Sequence, residues 1–173
     1  MGDTRGPFVE PHDDTVAGVV GTDHWAEVAR SCLIGEGVAR GHLDLAFVDG
    51  AEMADLNQTH MGSTGPTDVL SFPLDAADMG DPDAVVSSSE VPVHLGDIVV
   101  CPAVARAQAG DHTGTYEAEM TLLVIHGVLH ILGHDHAEPD EAETMVGRER
   151  HYLEAAGFTH PNDHQQPEAS QVS

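Results

Sequence analysis

The order of apolar patterns along this chain predicts a single domain of the α+β class, with about four strands in one mixed sheet packed with helices. The chain has 173 residues, which suits one ordinary domain and is too short for two. Strand-like segments lie in the first two-thirds of the chain, and the longest helix-like segments follow them. No internal repeat is visible.

Four segments predict strands, because they alternate apolar and polar residues or form short apolar runs. The segment around residues 8–9 is a short strand in a loose arm, and residues 42–49 alternate as a half-buried strand does. Residues 66–73 are bracketed by prolines, which predicts an edge strand. Residues 94–101 form an apolar run that indicates a strand buried on both faces.

Helical spacing and end signals predict the remaining elements. Asp23 lies near the start of the first helix and Gly35 near its end, while Pro139 and Gly157 bracket the last one. The predicted helices cover residues 22–37, 50–60, a short stretch ending near 109, 115–132 and 139–156. The domain is therefore expected to span residues 1–157, with a flexible acidic loop at 75–90 and a disordered tail at 158–173.

Charge is the unusual part of the composition. The chain has 30 acidic residues against 6 basic ones, all arginine, and a formal net charge of -24. This balance argues against general affinity for nucleic acid, DNA included, because such binding depends on cationic contacts to phosphate. The N-terminal segment lacks an apolar signal core, and no apolar run is long enough to span a bilayer. We therefore expect a cytoplasmic protein without a membrane partner, in which Cys32 and Cys101 are core thiols.

Three histidines carry the most informative pattern in the chain. On a helix, residues four apart lie on one face, so His126 and His130 can point at the same ion. Gly133 predicts the helix end, after which the chain can turn back and bring His136 as a third ligand. Three protein ligands leave a fourth position for water, as at catalytic zinc sites. We predict one Zn²⁺ per chain in a cleft at the end of a buried helix, with His134 behind the ligands or in solvent.

The same histidine spacing occurs in metzincin proteases, where a glutamate follows the first histidine and acts as general base. Here that position is Gly127, which has no proton-accepting group. A peptidase is therefore only an alternative. Three candidates are left for the group that assists proton transfer: the substrate's own phosphate, Glu119 and Asp135.

Several motifs together resemble the YbeY family of bacterial endoribonucleases, also called rRNA maturation factors. The matching segments, in order, are Leu56-Asn57, the Pro-Thr-Asp-Val-Leu-Ser-Phe-Pro string at 66–73, Leu95-Gly96-Asp97-Ile98, Cys101-Pro102 and the histidine run at 126–136. The resemblance covers about residues 8–156. It implies an α+β fold with a zinc cleft and a single-strand-specific endoribonuclease that matures the 3′ end of small-subunit (16S) rRNA and takes part in ribosome quality control.

The resemblance also assigns residues and partners. It carries His126, His130 and His136 over as metal ligands and places Thr67, Asp68 and Ser71 on a strand that flanks the cleft, where hydrogen bonding at the strand edge is an equally good interpretation. The implied partners are rRNA precursors and ribosomal particles, with ribosomal proteins or assembly GTPases as further candidates.

One position departs from the family pattern. Many members carry an arginine, thought to engage RNA, where this chain has Met61 followed by Gly62. Arg106, Arg148 and Arg150 could replace its phosphate contact, but pairing with nearby glutamates is the better interpretation for each. A ribosome-assembly factor that does not cut RNA, with a structural metal, is therefore kept as a second hypothesis.

Overall fold

A four-stranded mixed sheet organises the fold in the computed structural model, which describes residues 6–74, 93–135 and 137–162. The strands are β1 (Gly6–Asp13), β2 (Arg40–Phe47), β3 (Val69–Pro73) and β4 (His94–Val100), in the spatial order β1-β2-β4-β3. β1 and β4 each pair with β2 in parallel, and β3 pairs with β4 in antiparallel fashion. The sequence prediction of an α+β domain around a mixed sheet is confirmed, as is the edge position of the proline-bracketed strand.

Five α-helices surround the sheet within the described residues. They are α1 (Thr22–Gly35), α2 (Gly50–Met61), α3 (Pro102–Gln108), α4 (Tyr116–Ile131) and α5 (Pro139–Ala155). None of them combines the length and the apolar character that crossing a bilayer requires. The predicted helices are all found, with ends that differ by one or two residues, because the end signals mark a turn rather than a single residue.

The two faces of the sheet have different environments. On β2, Leu43, Leu45 and Phe47 are fully buried, and the residues that alternate with them are only partly buried. The buried face packs against α1 and α4, which supply much of the main core. On the opposite face, α2 covers one end of the sheet through a smaller cluster that includes Met53 and Val99.

Helix α4 crosses the core and presents buried residues on all sides. Its start is capped by Thr115, whose Oγ1 accepts a hydrogen bond from the backbone N–H of Ala118 at 3.1 Å. Its end is followed by Gly133, which has a φ of 97° and donates its backbone N–H to the carbonyl of His130. The predicted left-handed turn after the helix is therefore present, and the chain leaves the core at that point.

The predicted acidic loop and most of the predicted tail cannot be compared with the structure. Residues 75–90, predicted to be a flexible loop, and residues 163–173 of the predicted tail lie outside the described residues. The first residues of the predicted tail lie against the domain: Phe158 packs against the core, and His160 is only 4% exposed. His160 contacts Glu149, and the polar sequence after Gly157 does not reveal this contact. Cys32 and Cys101 are buried free thiols.

Candidate metal centre

His126 and His130 lie together on one face of α4. Their Nε2 atoms are 3.0 Å apart, and their rings meet edge to face with centroids 4.5 Å apart. Two ligands bound at about 2.0–2.1 Å to a tetrahedral zinc ion lie about 3.4 Å from each other. The pair therefore fits two adjacent positions around one metal ion. His136, the predicted third ligand, lies outside the described residues.

Glu149 of α5 fixes the orientation of His126. Its Oε2 lies 2.6 Å from His126 Nδ1, and its carboxylate is almost fully buried. Burial raises the pKa of Glu149, but hydrogen bonds from His126 and His160 outweigh it and bring that pKa to about 2. An ionised carboxylate only accepts hydrogen bonds, so Nδ1 of His126 carries the proton. Nε2, the ring nitrogen that faces His130, then carries no proton, and an unprotonated imidazole nitrogen is the kind that binds metals.

His160 completes the support of this carboxylate. Its Nε2 lies 3.2 Å from Glu149 Oε1, and its Nδ1 accepts a hydrogen bond from the backbone N–H of Asn162 at 3.2 Å. Because Nδ1 accepts, the proton is on Nε2 and is donated to Glu149. Both carboxylate oxygens are thus engaged by histidines. We call His126, His130, Glu149 and His160 the helix cluster.

A second buried carboxylate holds the loop that follows α4. Glu36, at the end of α1, accepts hydrogen bonds from Arg148 and from the hydroxyl of Tyr152, both on α5. Its other oxygen lies 3.0 Å from Nε2 of His134. His134 therefore lies against Glu36, and its place behind the ligands or in solvent stays a prediction. Burial raises the pKa of Glu36, but its three hydrogen-bond partners together lower it below its usual range.

Two clefts open beside His126. One has a volume of about 240 Å³ and is lined by His126, His130, Ser71 and Met61, with Val69, Leu70 and Pro73 completing the wall. The other, of about 260 Å³, lies towards Glu149 and His160 and includes Asp68 in its lining. Met61, which stands where the resemblance predicts arginine, is 53% exposed at the rim of the first cleft.

The three residues predicted to flank the cleft have different surroundings. Ser71 donates its hydroxyl to the backbone carbonyl of Gly127 at 3.2 Å, which ties β3 to α4 beside the histidines. Asp68 accepts hydrogen bonds from its neighbour Val69 and from Gln108. The Oγ1 of Thr67 lies 3.4 Å from a carboxylate oxygen of Asp68, and Thr67 lines neither cleft.

The two carboxylates considered for proton transfer also differ in position. Glu119 is fully buried, and its oxygens accept hydrogen bonds from Gln108, His112 and Thr113 at 2.7 to 3.0 Å. Such a saturated carboxylate stabilises the fold and has no path to a substrate in the clefts. Asp135 is exposed and lines a separate depression with Gly133 and His134.

The absence of the protease glutamate has a packing reason. A Cβ placed on Gly127 would lie 2.8 Å from Cγ2 of Ile98 and 3.3 Å from Oγ of Ser71. Real Cβ atoms do not approach other atoms so closely, so α4 and the sheet meet here only because residue 127 has no side chain. A glutamate at this position has no room in the fold.

Cations near the clefts are few. Arg148 is held by Glu36, and the guanidinium of Arg106 stacks over the ring of Tyr116 at 4.4 Å. Arg148 therefore pairs with a glutamate as the sequence interpretation preferred, whereas the contact of Arg106 is with an aromatic ring. Arg150 also has a partner.

Sequence reasoning missed the carboxylates that support the histidines. Glu149 and Glu36 come from other helices, far from the motif in sequence, and nothing in their local pattern separates them from the other glutamates of this acidic chain. A second group was missed as well: His42, Asp44 and His94, on the sheet, could also hold a metal ion. We call these three residues the sheet cluster.

Comparisons with known proteins agree with this architecture. The Endoribonuclease YbeY of Mycolicibacterium vanbaalenii is 49% identical over 113 residues, which cover 65% of this chain and 60% of the relative. That of Salinispora tropica is 44% identical over 137 residues, covering 78% of this chain and 87% of the relative. The chain thus spans about 60% of the length of the first of these relatives.

A solved structure and a family model complete the comparison. The solution structure of TM1509 from Thermotoga maritima superposes with a TM-score of 0.56 at 28% identity, over 84% of this chain and 87% of that one. The family model described as Endoribonuclease YbeY matches residues 19–157. This match includes both helices of the helix cluster and three of the four strands. The chain belongs to the YbeY family.

Proposed function

We propose that the protein is a metal-dependent endoribonuclease that cuts single-stranded RNA during rRNA processing. The observation that carries the proposal is the pair of Nε2 atoms 3.0 Å apart on α4, with His126 oriented by an ionised buried carboxylate. Family membership supports the reaction class, since the relatives are named endoribonucleases. The finer proposal is a zinc enzyme of the cytoplasm that matures the 3′ end of 16S rRNA and acts in ribosome quality control, on ribosomal particles.

Two residues of the helix cluster would bind the metal, and the other two would support them. His126 and His130 would bind through Nε2, and His136 is the proposed third ligand. When bound, zinc supplies a Lewis acid for a phosphoryl oxygen and lowers the pKa of water. Glu149 keeps the proton of His126 on Nδ1, so the ligand nitrogen stays available, and His160 keeps Glu149 in place.

The shape of the cleft beside the histidines supports a single-stranded substrate. Val69, Leu70, Pro73 and Met61 give it an apolar wall next to the polar ends of the histidines. An unpaired nucleotide can place its base against such a wall and its phosphate near the histidines, whereas bases stacked inside a duplex are not available for that contact.

The test is cleavage of an rRNA precursor with an unprocessed small-subunit 3′ end, on purified ribosomes, by zinc-loaded protein. We expect His130→Ala to cut at least about 100-fold more slowly than the wild type, because one ligand is lost. His24→Ala, which removes an exposed histidine of α1, is the control and should cut normally. Melting temperatures of the three proteins show whether the fold is kept. Equal cutting by His130→Ala would overturn the proposal.

A ribosome-assembly factor that does not cut RNA remains the second candidate. It is favoured by one observation, the exposed methionine at the cleft rim, which leaves the cleft lining without an arginine or lysine among the described residues. In the same experiment, absence of cutting by every folded variant, with binding to ribosomal particles preserved, would favour this candidate.

A further inference from the structure

The sheet cluster lies on the face of the sheet opposite α1 and α4, on strands β2 and β4. His42 and Asp44 alternate with the buried residues Leu43 and Leu45, so their side chains project from the other face. His94 is the register partner of His42 on the neighbouring parallel strand. Parallel pairing therefore brings together two imidazoles and a carboxylate that are distant in sequence.

The distances within this group are those of ligands around one ion. Nε2 of His42 lies 3.5 Å from Oδ1 of Asp44, and Nε2 of His94 lies 3.1 Å from Oδ2. One ligand atom from each of the three residues lies within 4.8 Å of the other two. Ligands of a tetrahedral zinc ion are about 3.4 Å apart, so little movement is needed to enclose one.

The nitrogens of the two histidines lack the partners that buried polar atoms normally have. Nε2 of His42 and Nε2 of His94 are both shielded from solvent, and neither makes a hydrogen bond of acceptable geometry within the described structure. The carboxylate of Asp44 is close enough but wrongly oriented for them. A buried nitrogen without a hydrogen bond destabilises the fold, and a cation between the three groups would satisfy both nitrogens and the carboxylate.

Neighbouring groups hold the carboxylate and add negative charge. His12 of β1 lies 2.9 Å from Oδ1 of Asp44, and Glu10 lies 3.5 Å from Nε2 of His42. On β4, Asp97 lies 3.3 Å from Nε2 of His94. Neutral imidazoles would leave the charge of these three carboxylates uncompensated, whereas a divalent ion would neutralise two of the three negative charges. Partners of this kind around the ligands are typical of metal sites.

We propose that His42, Asp44 and His94 form a second metal site, separate from the helix cluster, that binds a divalent transition metal of the zinc class. Two imidazoles and one carboxylate are the donor set that zinc accepts, whereas calcium and magnesium need mostly oxygen ligands. The ion would cross-link β2 and β4 on the sheet surface and would keep a position open to solvent. The full protein would then bind two ions, one more than the histidine motif indicates.

The test measures zinc binding with each site removed in turn. Full-length protein is stripped with a chelator and titrated with Zn²⁺ against a chromophoric chelator of known affinity. His126→Ala/His130→Ala should keep one zinc site, and adding His42→Ala/His94→Ala should weaken the remaining binding at least about tenfold. A matched control adds His24→Ala/His151→Ala, which removes two exposed histidines outside both clusters, and should leave that site intact.

Three outcomes would overturn the proposal. One is equal zinc affinity with and without His42 and His94 in the background lacking the helix pair. Another is binding only at about millimolar zinc, the level expected of isolated surface histidines. The last outcome comes from a measurement that does not need the quadruple variant to fold. In folded His126→Ala/His130→Ala protein labelled with ¹⁵N-histidine, we expect zinc to shift the side-chain resonances of His42 and His94. Shifts confined to other histidines contradict the site.

A further variant separates this proposal from the proposed function. Asp44→Asn keeps the size of the side chain and removes its charge, so zinc binding at the sheet cluster should fall while RNA cleavage is unchanged. Unchanged zinc binding at that cluster in this variant contradicts the proposed donor set. Wild-type protein that binds zinc at the sheet cluster but does not cleave RNA would contradict the proposed function and support this second site.

Discussion

The helix cluster and the sheet cluster both gather histidines and a carboxylate, but they reach that arrangement by different means. In the helix cluster, the two facing histidines come from one helix, and a carboxylate from a second helix is bound through both of its oxygens. In the sheet cluster, strand register brings the histidines together, and their Nε2 atoms lie near carboxylates but make no hydrogen bond within the described structure.

The two clusters therefore differ in how far the protein organises them without a metal. In the helix cluster, hydrogen bonds to Glu149 already fix the ring orientations of His126 and His160. The sheet cluster has unsatisfied nitrogens, so it gains most from an added ion. We therefore expect metal removal to change the structure of the sheet surface more than that of α4.

Gly127→Glu should have the largest effect, because it acts where the helix of one cluster touches the sheet of the other. Its side chain would meet Ile98 and Ser71, so we expect a loss of more than about 3 kcal/mol in the free energy of unfolding. Urea unfolding measures this loss. Gly147→Glu is the matched control, because a Cβ there meets nothing within 4 Å. It should change stability by less than about 1 kcal/mol.

Equal losses in the two glycine variants would show that the close approach of α4 to the sheet is not a constraint. A stable Gly127→Glu protein that hydrolyses unstructured protein would revive the peptidase alternative.

Glu149→Gln should weaken zinc binding at the helix cluster by about 10–100-fold, because the charge that orients His126 is lost. The measurement is zinc titration in the His42→Ala/His94→Ala background, where only the helix cluster is left to bind. Glu143→Gln changes an exposed glutamate of the same helix and is the control. An equal affinity in both variants would mean that the orientation of His126 does not depend on Glu149.

Glu36→Gln should lower stability by about 1–2 kcal/mol at neutral pH, because the group that joins α1, α5 and His134 loses its charge. The pKa of Glu36 in the folded protein lies below its ordinary value of 4.5. Its charge therefore stabilises the fold fully above that ordinary value, and the contribution is lost as pH falls through the folded pKa. The stability difference between wild type and variant should narrow below about pH 4.5.

Urea unfolding of both proteins across the acid range checks this dependence. A difference that stays constant from neutral to acid pH would show that the carboxylate charge is not what holds the loop.

Met61→Arg should have the smallest effect, a severalfold gain in affinity for single-stranded RNA with little change in stability. The new guanidinium would lie at the rim of the cleft beside His126 and His130. One added phosphate contact should steepen the dependence of log affinity on log salt by about 1. Val20→Arg adds the same charge at a residue that is 93% exposed and lines neither cleft. Equal gains in both variants would indicate a general effect of net charge.

The sequence predicted the fold and half of the helix cluster for a physical reason. Helical periodicity and end signals are local, so they can be read from one stretch of chain. The spacing of His126 and His130 is of this kind, and the structure brings their Nε2 atoms together. The left-handed turn at Gly133 can also be predicted from a local signal, because only a few residue types, glycine above all, accept that conformation.

What sequence reasoning could not give depends on register and on packing between distant elements. The residues of the sheet cluster carry no local signal in the sequence, because the pairing of β2 with β4 sets which residues meet. The tight contact at Gly127 likewise needs the position of Ile98 on another element. His160 was assigned to a tail, since its partner Glu149 cannot be recognised among so many glutamates.

The dependence of His126 on Glu149 also bears on how the chain is made. Synthesis proceeds from the N-terminus, so both helical histidines leave the ribosome before the carboxylate that orients them. Until α5 has docked, His126 is free to rotate and to expose either ring nitrogen. A nascent chain would therefore hold metal weakly and gain its full affinity only after its last helix has folded.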